Sequence, residues 1–325
     1  MAGWFGYLFG PLPARIMPSP APIDAPSATA ADPNKEPPPR DGWPPQPTGE
    51  LAELRSALDR IDNAVHDLLM QRAEVVERVA TSGKASAYRP GREAAIIRRL
   101  LIQHRGKLPP QTLVRIWREL LAGTTAMQGD YRVAVCQADA AAGFIQAARE
   151  QFGALTPVHV HRSPAQAIAE VSAGTASVAV LPMPSETEKP GAAWWTALLH
   201  RDSPRIYVVG RLPFWSRRPE GAPSVQALVI AAAAPDPSGR DRSLLGLEVD
   251  LDVSRDRLTA TVTASGFAPG TVILRRDVGA QVAHALIDVA GYVGDDDARL
   301  IGIATALRPP VVLGAYAEPE DGGAA

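Results

Sequence analysis

The chain has 325 residues, 46% of them hydrophobic and 21% charged, which is enough apolar matter for about two packed domains. A formal net charge of −2 removes any general electrostatic drive toward nucleic acid or an anionic membrane. One cysteine, Cys136, excludes a disulfide framework and a cysteine-rich zinc site, and it fits a reducing cytoplasm. No apolar run approaches the ~20 residues that a membrane-spanning helix needs.

Thirteen of the 31 prolines fall in the first 50 residues, in runs such as Pro37-Pro38-Pro39 and Pro44-Pro45. Such a stretch sustains neither a helix nor a sheet interior, so residues 1–47 are expected to be a disordered, polyproline-like tail. The opening MAGWFGYLFG is apolar, but no Lys or Arg precedes it and Pro11 and Pro13 break it, which argues against a secretory signal.

From Thr48 the pattern becomes helical. Leu51, Leu54, Leu58, Ile61, Val65 and Leu68 alternate steps of three and four, and the series resumes at Val75 and Val79. One helix of about 33 residues, ~50 Å long, is expected. A helix of that length cannot bury its stripe alone and needs partner helices or a second protomer. Pro90 opens a second helix that ends at Gly106. Pro109-Pro110 opens a third, with Leu113, Ile116, Trp117, Leu120, Leu121, Thr124 and Gln128, ending near Gly129. Residues 48–130 therefore read as an all-α domain.

Polar residues interrupt these apolar stripes. Arg72 sits in the seam between Leu68 and Val75, Glu93 one turn before Ile97, and Gln128 one turn after Thr124. A buried guanidinium must meet an anion, and the plain reading gives Arg72 an internal partner such as Glu93. Three such residues on three helices of one bundle point instead to a polar pocket able to hold an anionic ligand.

The stretches LAELRSALDRIDNAVHDLLMQRAEVVERVA, RPGREAAIIRRL and IWRELLAGTTAMQ resemble the all-helical class of chorismate mutases. The resemblance implies that Arg55 reaches into a partner protomer's site to bind one substrate carboxylate, while Arg72 binds the other. It implies that Arg92 and Glu93 lie at the ring hydroxyl, that Gln128 donates to the ether oxygen, and that Thr124 assists a carboxylate. The family lysine at the ether oxygen falls on Gly83, one residue before Lys84, and Lys84 is taken for that role. Arg89 stands where some members carry an Asp. The substrate is then chorismate, the protein a homodimer, and no metal or cofactor is implied. Gln128 is a donor at every working pH, so kcat/KM is expected to be nearly flat from pH 5 to 8.

The second half alternates strands and helices. Strands are expected at 131–136, 158–161, 177–181, 206–209 and 227–232, with helices at 140–151 and 164–171 and a helical stretch around Trp194-Trp195. His159 and His161 share one of these strands with no other ligand type near in sequence, and read as structural. Residues 243–318 read as β-α-β-β-α-β, a ferredoxin-like order, with the second helix at 297–307. SPAQAIAEVSAGTASVAVLP and VVLGAYAEP resemble, weakly, the prephenate dehydratase and ACT domains that follow the mutase in bifunctional proteins. The functional motifs are missing: Pro184-Ser185-Glu186 replaces Glu-Asn-Ser, Gln226-Ala227-Leu228 replaces the catalytic Thr-Arg-Phe, and Leu274-Arg275-Arg276-Asp277 replaces the effector-binding Glu-Ser-Arg-Pro.

The whole reads as a multidomain cytoplasmic protein: a helical mutase domain, a truncated dehydratase-like α/β region at 131–235, an ACT-like part at 243–318 and a short tail from 319. The expected activity is the [3,3] rearrangement of chorismate to prephenate. The rivals are a working bifunctional mutase–dehydratase and a non-catalytic binding protein with a decayed pocket.

Overall fold

The computed structural model describes residues 49–81, 88–139, 143–188, 192–216, 218 and 220–321. The proline-rich stretch 1–47 lies outside them, and so does Lys84. The chain divides into two bodies, one ending at Ala64 and one beginning at Val65.

Helix α1 runs from Glu50 to Thr81, 32 residues, with Glu50 and Glu53 in its first turn and Arg78 in its last, the charge order the helix dipole favours. None of its residues is buried. Helix α2 (Pro90–Gln103) and helix α3 (Pro110–Ala126) both begin on a proline, whose fixed φ suits the first turn and whose missing N–H costs nothing there. Both stop short of the glycines expected to end them. His104 leaves α2 in an extended conformation. Beyond α3 the Gln128 N–H closes a tighter turn on the Thr125 carbonyl at 3.0 Å.

The remaining chain builds one nine-stranded sheet. Its strands are β1 (Val133–Cys136), β2 (Val158–His161), β3 (Val178–Pro182), β4 (Tyr207–Leu212), β5 (Ala227–Ala231), β6 (Asp241–Val249), β7 (Pro269–Arg275), β8 (Ala283–Ala290) and β9 (Val311–Ala317). The spatial order is β2-β1-β3-β5-β4-β9-β6-β8-β7. β1 lies parallel to β2 and β3, and helices α4 (Phe144–Phe152) and α5 (Pro164–Ser172) make the crossovers. Ala147, Ala148 and Phe152 of α4 join the Tyr88 and Tyr131 rings on one face. Ala167 and Val171 of α5, with Trp194 and Trp195 of the short 3-10 helix Trp194–His200, cover the other.

The outer four strands keep the ferredoxin-like order, β9-β6-β8-β7, with helix α6 (Arg255–Ala264) burying Leu258 and Val262 against them. The expected second helix over 297–307 is absent as such. Only Ala298–Gly302 winds, as five residues of 3-10 helix. The chain beyond it is drawn back to the sheet: Ala306 bridges Val249, and the Leu307 N–H donates to the Glu248 carbonyl at 2.9 Å. Backbone groups committed to the end of β6 cannot also serve a helix.

The inner and outer strands, expected as separate parts, share one sheet through the parallel pair β4–β9, whose register pair is Val208 and Gly314. Gly314 has φ +140°, and a Cβ there would lie 2.0 Å from the Val208 carbonyl oxygen. It sits at a bulge, because Leu244 faces Gly314 while Leu245 faces Val312. Gly314→Val should therefore cost about 2–4 kcal/mol through backbone strain and overpacking, read as a lower urea midpoint.

Candidate active site

Helices α2 and α3 pack as a hairpin through Ala94, Ile97, Val114 and Leu121, and Phe214 from the chain just beyond β4 completes that core. The N-terminus of α2 is held by a residue far away in sequence. Asp236 accepts the Gly91 N–H at 3.0 Å and the Arg92 N–H at 3.1 Å, and pairs with Arg89 at 3.2 Å. These are unpaired first-turn donors beside a carboxylate that the helix dipole favours. Gly91 allows the approach, since a Cβ would lie 2.1 Å from the Asp236 carbonyl oxygen. Further along α2, Arg98 bonds Glu320 at 2.5 Å, the Ser238 hydroxyl at 2.8 Å and the Glu318 carbonyl at 2.6 Å. The run PDPSGRD, read from sequence as a loop, is thus the seat of α2.

At the centre of the hairpin lies a buried ion pair. Arg118 Nη1 donates to Glu93 Oε2 at 3.0 Å, and both residues are buried. The guanidinium lies 4.8 Å from the centroid of the Phe214 ring. Burial pushes the Glu93 carboxyl up to about 7, against the pull of Arg118 and Arg72. Burial likewise lowers Arg118 from its ordinary value, and Glu93 opposes that shift. Sequence reasoning missed Arg118. The signal was present, because Arg118 lies four residues after Val114 and three before Leu121, in the apolar seam of α3.

Arg72 finds a different partner from the one expected. Its Nη1 donates to Thr124 Oγ1 at 3.2 Å, and Thr124 in turn donates to the carbonyls of Leu120 and Leu121. Gln128 stays beside Thr124 and donates to its carbonyl at 3.0 Å. Arg72 is held below the usual guanidinium value by burial and by Arg92, with Glu93 pulling the other way. Arg72, Arg92, Glu93, Thr124 and Gln128 are therefore neighbours. Arg92 is exposed. Arg55 is exposed on the first half of α1, and Lys84 lies outside the described residues.

The other expected positions are occupied by structural contacts. Glu170 of α5 lies 3.1 Å from His159 Nδ1 and 3.3 Å from His161 Nε2. Among the described residues, no group of three or more His, Cys, Asp or Glu is placed to hold a metal ion. Gln226 accepts from Arg211 at 3.0 Å. Glu186 accepts the Leu274 N–H at 3.2 Å and pairs with Arg255, which ties the segment after β3 to β7. No described helix is long and apolar enough to cross a membrane.

A half-buried arginine, a hydroxyl, a buried carboxylate and an amide are thus gathered at one end of the hairpin, a donor-rich set that suits a polar anion. Residues 54–129 match the chorismate mutase type II family model. That match covers all of the pocket residues named above. A bifunctional chorismate mutase/prephenate dehydratase of Stutzerimonas stutzeri is 28% identical over 148 residues, 43% of this chain and 40% of that protein. One from Neisseria gonorrhoeae is 32% identical over 85 residues, 26% of this chain and 24% of that protein. The chain thus spans less than half the length of the curated relatives it matches. A solved prephenate dehydratase from Streptococcus mutans aligns over 57% of this chain and 97% of its own, at 13% identity and a TM-score of 0.43. A quorum-quenching acylase, GqqA, aligns over 58% of this chain and 95% of its own, at 16% identity and the same TM-score of 0.43.

The ion pair in the mutase-like region has a pH signature. A carboxyl raised from 4.5 to about 7 holds a proton in the folded chain that the unfolded chain has lost, so its contribution to stability falls as pH rises through that window. Arg118→Met removes the cation that restrains the shift and leaves Glu93 without its partner. The variant should lose about 3–5 kcal/mol at pH 8 and distinctly less at pH 5, where Glu93 is protonated, as read by urea unfolding at both values.

Proposed function

We propose that this protein is a chorismate mutase, rearranging chorismate to prephenate within a homodimer in the cytoplasm. The observation that carries the reading is the hydrogen-bonded set Arg72–Thr124–Gln128 beside Glu93, inside the residues that match the family. The reaction is intramolecular and needs no nucleophile, metal or proton shuttle. It needs a flexible dicarboxylate held in a reactive chair and donors aimed at the oxygen of the breaking C–O bond.

Arg72 takes one carboxylate through its forked donors, with Thr124 orienting the guanidinium. Arg55 of a second copy takes the other carboxylate. Gln128 and Lys84 donate to the ether oxygen, where negative charge develops, and so favour the transition state over the substrate. Glu93, ionised and held by Arg118, accepts from the ring hydroxyl, with Arg92 beside it.

The dimer rests on α1. Leu51, Leu54, Leu58, Ile61, Val65, Leu68, Val75 and Val79 are all exposed, Leu68 to 63%. A continuous apolar stripe of that length needs cover, and a second copy of the same helix supplies it while bringing Arg55 to the partner's pocket. The second half carries Gln226 where a dehydratase needs a threonine, and an amide does not replace that hydroxyl. The pure protein should convert chorismate to prephenate, form no phenylpyruvate above background, and elute as a dimer. Arg55→Ala and Arg72→Ala should each lose about 2–5 kcal/mol in kcat/KM. An active monomer, or Arg72→Ala with wild-type kinetics, would refute the reading.

Glu93 changes the pH expectation. Gln128 alone would leave kcat/KM flat from pH 5 to 8, but a carboxyl near 7 titrates inside that range. Ionised Glu93 is the acceptor, so kcat/KM should rise several-fold from pH 6 to 8. In Glu93→Gln this step should vanish at a reduced plateau. Gln128→Glu should fall in activity at neutral pH and recover as pH drops. A wild-type profile without a step near 7 would exclude Glu93 as the acceptor for the ring hydroxyl.

A further inference from the structure

Nearer the N-terminus of α3, a cavity of about 450 Å³ opens between that helix, α4 and the chain following β4. Its apolar wall includes the Phe214 and Trp215 rings, and its charged groups are Arg115, Arg118, Arg218 and Glu150. Two of these arginines are already engaged with acids. Arg118 holds Glu93 at 3.0 Å, and Arg218 Nη2 holds Glu150 at 2.6 Å. Arg115 makes no ion pair among the described residues.

Arg115, exposed and without an ion pair among the described residues, and the flat Phe214 and Trp215 rings suit a ligand with one ring and one carboxylate. A free amino acid suits the cavity less well, because its ammonium would need an acceptor and Glu150 is already bonded to Arg218.

We propose that this cavity is an effector site for a small aryl carboxylate, and that Arg118 transmits its occupancy to the mutase pocket. Arg118 serves both sides: its guanidinium lines the cavity over Phe214, and its Nη1 positions Glu93. A carboxylate drawn to Arg118 from the cavity competes with Glu93 for the same donors, which is a differential contact of the kind that couples two sites. The binding claim stands independently, and the coupling rests on the mutase reading above.

Titration calorimetry of the full chain with sodium 3-phenylpropionate tests the site without any turnover. One molecule per chain should bind. Arg115→Gln, on an exposed helical position, and Trp215→Leu, checked for wild-type circular dichroism, should each weaken binding about tenfold or more, while Arg72→Ala leaves it unchanged. Saturating phenylpropionate should shift kcat/KM for chorismate at least about twofold in the wild type and not in Arg115→Gln. No heat of binding overturns the site, and so does L-phenylalanine binding where phenylpropionate does not. Binding that survives Arg115→Gln and is lost in Arg72→Ala would place the ligand in the mutase pocket and overturn it too. Binding with unchanged kcat/KM overturns the coupling.

Discussion

The Glu93–Arg118 pair is the constraint around which the helical hairpin is arranged. Two charges taken out of water are costly, and their attraction offsets that cost only when geometry is good and the remaining donors are covered. Here α2 and α3 bring the pair to 3.0 Å, and Phe214 lies over the guanidinium. An apolar pair of the same volume would hold the helices together as well or better. What the ions add is a fixed orientation for Glu93 and a carboxyl whose affinity for a proton is displaced into the neutral range. Stability and the proposed chemistry thus depend on the same contact.

That contact requires α2 to be seated firmly, and the seat comes from the sheet region. Asp236 meets the first turn of α2, Arg98 is held by Glu320 and by four neighbouring oxygens, and Phe214 closes the apolar core of the hairpin. Each of these residues follows a strand: Phe214 follows β4, Asp236 follows β5, and Glu320 follows β9. The parallel β4–β9 pairing at Val208 and Gly314 is therefore more than a seam in the sheet. It keeps two of the three anchors beside each other. The second half thus has a physical task, which is to hold the α2–α3 hairpin in register.

The apolar stripe of α1 shows the opposite case. Its periodicity is as regular as that of α2 or α3, yet none of its residues is buried. A regular apolar period states which face of a helix wants cover, and not whether the same chain supplies it. Arg72 is the exception in kind. It reaches across to Thr124 and so gives the helix one polar point of attachment to the hairpin within the second body.

Much of the fold was legible locally. The length of α1, the proline starts of α2 and α3, the β-α-β crossovers and the ferredoxin-like strand order follow from apolar period, cap chemistry and turn residues, which act within a few positions of each other. The closeness of Thr124 and Gln128 was legible for the same reason, since they stand four residues apart across the end of α3. Tertiary structure decided the rest. Periodicity says which face is apolar, but a buried charge is neutralised by whichever opposite charge the fold brings near. Hence Glu93 turned to Arg118, 25 residues on, and Arg72 to a hydroxyl instead of the acid. Asp236 caps a helix 145 residues away, and the last helix of the ferredoxin-like part gave way to backbone bonds with β6. Those outcomes depend on competition between distant groups for the same donors, which no local pattern records.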